Sequence, residues 1–169
     1  MISTLSRLAA AIAGIGALAA TVATVAAAES PQETTLQSFV GTWKCVGHGS
    51  DNKTYNETDS DAMYGKWLKI QSTYAAPPGQ PASSGVTYAG YDEAHHHWVT
   101  EGVGTDNSYF VATSNSPTWD GAKWTDVYPA DHGTAVTHGP SGGKYTLVSS
   151  GPGPSGKMMT YTSVCTKQP

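Results

Sequence analysis

Arginine is all but missing: Arg7 is the only one in 169 residues. Arginine is the preferred side chain for a two-pronged grip on phosphate or carboxylate. Its scarcity argues against a nucleotide, a phosphosugar or a polyanion as ligand. Charge of either sign is thin, at 13% of residues with a net charge of −4, where an ordinary domain carries about 25%. That balance excludes a basic nucleic-acid footprint, so no nucleic-acid partner is expected. It also argues against disorder, which usually combines polarity with high net charge. Phenylalanine and cysteine occur twice each. Beyond residue 28 no segment keeps a helical period, no glycine-rich phosphate loop opens a helix, and no nucleophile-elbow pattern surrounds a serine. The length allows one domain of the usual size, roughly 100–200 residues.

What is present begins with an address. Residues 1–7 carry one positive charge, and residues 8–28 carry none and are mostly alanine. The stretch ends in Ala26-Ala27-Ala28-Glu29, which fits a small-residue signal-peptidase site. An uncleaved anchor is the competing reading, because such a run could just span a bilayer. Alanine and glycine insert weakly, so the sequence predicts a signal peptide over 1–28 and no stable membrane insertion after cleavage. No cysteine lies near the site, which excludes a lipoprotein. A flexible leader over 29–35 and a single domain over 36–169 follow, with a short helical turn near 35–39. The protein is expected to be exported, periplasmic or secreted. In that compartment Cys45 and Cys165 most simply form one disulfide. It would close a loop of about 120 residues and, on the chain-entropy model, stabilise by up to about 5 kcal/mol. A metal-thiolate pair and two free thiols are the alternatives.

Short runs rich in Thr, Tyr, Trp and Val recur between Gly, Pro, Asn and Asp, the pattern of strands and turns. Ten candidate strands cover 38–47, 53–60, 66–74, 85–91, 97–102, 108–113, 123–128, 135–138, 144–149 and 158–165. Asp120-Gly121 suits a tight turn. Residues 139–143 and 151–156 read as loops, and 75–84 as the longest loop. So many short strands imply a β-sandwich or an up-and-down barrel. The cysteines favour the barrel: a bridge between first and last strands would pin a closing seam and remove the sheet edges. Alternation agrees, with Phe39, Trp43 and Cys45 on one face of their strand and Met159, Tyr161 and Cys165 on one face of theirs.

Gly41-Thr42-Trp43-Lys44 resembles the Gly-x-Trp signature of lipocalins and other calycin barrels. The longer Gly41-Thr42-Trp43-Lys44-Cys45-Val46-Gly47-His48-Gly49 is similar to the opening of nitrobindin-like barrels, with Cys45 in place of their middle glycine. More extensively, the chain resembles a bacterial family of exported, lipocalin-like proteins of unknown function. The likeness is carried by the run from Phe39 to Cys45, by Gly65-Lys66-Trp67-Leu68, Tyr88-Ala89-Gly90-Tyr91-Asp92, His97-Trp98-Val99 and Ala112-Thr113-Ser114, and by a cysteine near the C-terminus. It implies a ten-stranded antiparallel up-and-down barrel around a cavity, with Gly41 and Trp43 in structural roles and the indole plugging the closed end. Nitrobindin-like proteins hold haem through a histidine on a late strand. Here the late histidines, His132 and His138, fall in a Gly/Pro-rich region, so that ligand is not carried over and no cofactor is expected.

His95-His96-His97 follows Asp92-Glu93 closely, which makes His95 and His97 the candidate metal ligands. Consecutive strand residues point to opposite faces, however, and the triplet falls at an expected hairpin turn; a solvated turn is predicted. His97, Val99, Glu101 and Val103 share one strand face. Turned inward, His97 and Glu101 could move a proton; turned outward, they are surface residues. The aromatic surplus beside scarce phenylalanine suits packing first and an amphipathic ligand second. Trp67, Tyr88, His97, Met159 and Tyr161 are the candidate ligand contacts. The reading is a monomeric, non-catalytic barrel that binds a small apolar or amphipathic molecule. An acid–base enzyme using His97 and Glu101, and a haem or metal binder, stand as alternatives.

Overall fold

Ser30, Pro31 and Glu33 set up the first element in the computed structural model, which describes residues 29–76, 82–130, 133–152 and 156–169. The Ser30 hydroxyl accepts from the Glu33 amide at 3.1 Å, and the Glu33 carboxylate accepts from the Ser30 amide at 2.9 Å. This capping box, with proline in the first turn, starts helix α1 over Pro31–Gln37. The expected leader over 29–35 is thus corrected: most of it is helix, and the helical turn expected at 35–39 begins several residues earlier. Leu36 is the helix's buried residue. The signal-peptide reading of 1–28 and the placement of His132 lie outside the described residues. Among the described residues no helix is long and apolar enough to cross a membrane.

Ten strands follow: β1 (Gly41–Gly49), β2 (Thr54–Tyr64), β3 (Trp67–Tyr74), β4 (Ser83–Asp92), β5 (His97–Gly104), β6 (Tyr109–Ser114), β7 (Lys123–Tyr128), β8 (Thr134–Ser141), β9 (Lys144–Pro152) and β10 (Met158–Lys167). Each pairs antiparallel with its neighbours in sequence, and β1 also pairs with β10, so the sheet closes on itself. Cys45 stands directly opposite Cys165 across that seam, and the two are disulfide-bonded. The loop expected over 139–143 is corrected. β8 runs through Gly139 and Pro140 to Ser141, with a register shift between His138 and Ser141 that absorbs them.

Trp43 is fully buried, and its indole N–H donates to the Phe39 carbonyl at 2.6 Å. That bond ties the segment after α1 to β1, as a plug at one end of the barrel. Leu36 and Phe39 pack there with Leu68, Ala89, Trp98, Ala112, Trp119 and Trp124. Trp119 comes from the β6–β7 connection and meets Trp98 and Trp124 edge to face, at 5.2 and 4.9 Å between ring centroids. One end of the barrel therefore has a packed aromatic floor.

Candidate binding cavity

Above that floor lies an interior cavity of about 650 Å³, within the range of small-molecule sites. Leu68, Ile70, Ala89, Phe110, Trp119, Trp124 and Leu147 supply its apolar wall. Carboxyl groups enter the same lining, three of them from β2, next to the apolar residues of β3, and a fourth from Asp126 of β7. The inward positions of β2 are Tyr55, Glu57, Asp59 and Asp61, while Thr58, Ser60 and Ala62 alternate outward. No lysine, arginine or histidine is among the described residues lining the cavity.

The acids are not equivalent. Asp59 is buried and served by two donors: the Ser72 hydroxyl at 2.7 Å and the Tyr145 hydroxyl at 3.1 Å, one to each carboxylate oxygen. Cys45 Sγ lies 3.4 Å from the same carboxylate, a contact without a proton to share, because the sulfur is in the disulfide. Asp61 is equally buried, yet its Oδ1 has no hydrogen-bond partner. Burial, then the charges of Asp59 and Glu57, push the Asp61 carboxyl up to about 8, against an opposing pull from Lys167. Burial, followed by the Asp59 charge, pushes Glu57 up to about 7. The phenols of Tyr74, Tyr145 and Tyr161 are raised as well, in each case first by burial. The site therefore combines an apolar wall with carboxyl groups poised close to neutrality.

The sequence candidates divide between inside and outside. Met159 and Tyr161 line the cavity. Tyr161 occupies the space a β-carbon at Gly47 would need and meets Tyr55 edge to face at 5.5 Å. Trp67 and Tyr88 do not join them. On β3 the inward residues are Leu68, Ile70, Ser72 and Tyr74, so Trp67 lies on the outer wall, covering Gly90. Tyr88 lies on the outer wall too, against Tyr64 at 5.9 Å. His97 and Glu101 are also outside, because β5 turns Trp98, Thr100 and Gly102 inward. His97 Nε2 stands 3.9 Å from Asp92 Oδ2, and His95 Nδ1 stands 2.7 Å from the same oxygen. The Asp92 carboxylate also accepts from the amides of Ala94 and His95, and these bonds hold the β4–β5 turn. The inward acid–base pair of His97 with Glu101 is not formed.

Among the described residues, one set of metal-capable side chains lies close together, Cys45, Asp59 and Cys165. Both sulfurs are bonded to each other, which leaves Asp59 alone as a ligand. The residues that sequence reasoning passed over are Glu57, Asp59 and Asp61. The signal was there in the even spacing of three acids behind Tyr55 on one strand. Charge at period two reads as a solvated face, and the opposite face of β2 offers no apolar alternative to expose the error.

No protein-family profile matches the chain, and no curated protein matches it. Among solved structures, the S-type phycobiliprotein lyase CPES from Guillardia theta is similar at a TM-score of 0.57 and 10% identity, over 81% of this chain and 92% of that one. A redesigned beta barrel is similar at a TM-score of 0.51 and 12% identity, over 83% of this chain and 100% of that one. At such identities the likeness extends to the fold alone: a closed, ten-stranded antiparallel β-barrel.

Proposed function

We propose that this protein is an exported, lipocalin-like barrel that holds a small amphipathic molecule in its interior. The observation that carries the reading is the cavity of about 650 Å³, lined by apolar side chains together with hydroxyl and carboxyl groups. A barrel of about eight strands is just wide enough to be filled by its own side chains or to hold one small ligand, and ten strands make a wider one. Here Ala89, Ala112, Thr87 and Thr100 leave space that bulkier side chains would fill. The seam disulfide supports an oxidising compartment, as export would provide.

The test is titration of the purified protein with the neutral fluorophore N-phenyl-naphthylamine. The expected result is saturable binding at one site, with quenching of tryptophan emission through Trp119 and Trp124. Leu147→Trp, which fills the middle of the cavity, is expected to abolish the signal while the fold persists by circular dichroism. A linear, unsaturable response, or full binding by the Leu147→Trp variant, overturns the reading.

A further inference from the structure

Asp61 is 5% exposed, it lines the cavity, and its Oδ1 meets no donor. A buried acceptor left without a partner is costly, and folded proteins keep few of them. Its neighbour Asp59 shows what satisfaction looks like on the same strand face, with Ser72 and Tyr145 both donating to it. No donor of that kind reaches Asp61 Oδ1 from β1 or β3, the strands flanking it. Lys167, the cation whose charge acts on Asp61, has Nζ 5.3 Å from the Trp43 ring centroid and 3.4 Å from the Ser38 carbonyl. The Asp61 side chain lines the cavity, so a molecule held there is a source of the donor that this carboxyl lacks.

We infer that the cavity takes a protonated amine attached to an apolar body, with the ammonium donating to Asp61 and the body lying against Phe110, Trp119 and Trp124. The inference rests on the ligand-binding reading and names the ligand class for that same site. A bare metal ion fits the geometry less well. Same-face residues on a strand are about 6.5–7 Å apart, so Glu57, Asp59 and Asp61 form a row rather than a cage. Among the described residues they do not gather closely enough to share an ion. A row of acids beside an apolar wall suits a ligand with one charged end. An anionic ligand would meet like charge with no cation in the described lining to offset it.

Proton release follows from the same geometry. The charged and titratable groups acting on Asp61 are Glu57 and Asp59 on β2, Tyr145 on β9 and Lys167 on β10. Burial among these groups keeps its proton on at neutral pH. An incoming ammonium favours the charged carboxylate and displaces that proton.

The experiment is calorimetric titration of the disulfide-bonded protein at pH 7 with naphthylethylamine, naphthylethanol and naphthylacetate, each in two buffers of different ionisation enthalpy. The amine is expected to bind about tenfold or more tighter than the alcohol, the gain of one charge-assisted hydrogen bond. The carboxylate is expected to bind weakest, and only the amine should release a proton. Asp61→Asn is expected to bring the amine-to-alcohol ratio close to one. An alcohol that binds as tightly as the amine overturns the inference and leaves the binding reading standing. Failure of all three probes removes both. A ratio unchanged by D61N overturns the assignment to Asp61. Should that variant not fold, amine binding without proton release by the unaltered protein overturns the inference.

Discussion

Glu57, Asp59 and Asp61 occupy one strand face at equal spacing, yet each meets different chemistry. Asp59 receives donors from β3 and β9, so its carboxylate is integrated into the wall. Tyr145 matters twice there, since its ring also packs edge-on against Trp43 at 4.9 Å and against Phe39 at 5.4 Å. Tyr145→Phe keeps those ring contacts and removes one donor to a buried acid. It is expected to destabilise by about 1.5–3 kcal/mol, the range for hydrogen bonds to charged groups. Urea unfolding monitored by tryptophan fluorescence measures this, and a loss below about 0.5 kcal/mol would show that the Tyr145–Asp59 bond adds little. Gly47 belongs to the same scale: a β-carbon there would collide with the Tyr161 ring, so glycine permits the aromatic pair with Tyr55 at the cavity wall.

Among the elements, α1 has an importance out of proportion to its length. A helix of two turns is marginal alone; this one is held by its capping box and by burying Leu36 in the barrel floor. The Lys66–Glu33 ion pair at 3.1 Å links it to the β2–β3 turn, a surface contact of small energetic weight. Leu36→Ala should open a cavity under Phe39 and Trp119 and cost about 2–5 kcal/mol. Denaturant midpoints of the variant check this, and an unchanged midpoint would mean that the helix is not part of the cooperative unit. The strands show how far local chemistry reaches. All ten segments expected from Thr/Tyr/Trp/Val runs and their turn residues are strands, although Gly139-Pro140 sits inside β8 rather than ending it. α1 was hidden because Pro31, Thr34 and Thr35 make a poor helical pattern, and the capping box at Ser30 and Glu33 outweighs them.

For the whole molecule, closure and burial of acid act in opposite directions. The seam disulfide links residues 120 apart and on the chain-entropy model is worth about 5 kcal/mol. The inward carboxyls act against folding once ionised. Asp61 and Glu57 titrate near 8 and 7 in the fold, against roughly 3.9 and 4.3 in an unfolded chain. The folded state therefore holds protons that the unfolded state has lost. Stability should fall as pH rises between about 4 and 8, by up to about 1.4 kcal/mol per pH unit for each group, with the Glu57 share ending near 7 and that of Asp61 near 8. The exposed acids whose carboxyls are lowered, among them Asp51 and Asp106, affect stability only at lower pH. Urea midpoints across that window measure the slope, and Asp61→Asn should flatten it. A midpoint that rises with pH would contradict the burial of these acids.

The sequence by itself determined the strands, their antiparallel order, and the two residues that seal the seam, while the plugging role of Trp43 was implied only by the resemblance to lipocalin barrels. Strands, order and seam depend on local turn chemistry, on alternation, and on the pairing of the only two cysteines. Only the tertiary structure decided which face of β2, β3, β4 and β5 looks inward. Alternation divides a strand into two faces without saying which one is enclosed, and hydrophobicity settles that only where the interior is filled with apolar side chains. In this barrel part of the interior is a cavity whose mostly apolar lining also includes acids and hydroxyls, so Glu57, Asp59 and Asp61 lie inside while Trp67 and Tyr88 lie outside. Closure of the sheet, with its register fixed across the Cys45–Cys165 seam, selects between the faces.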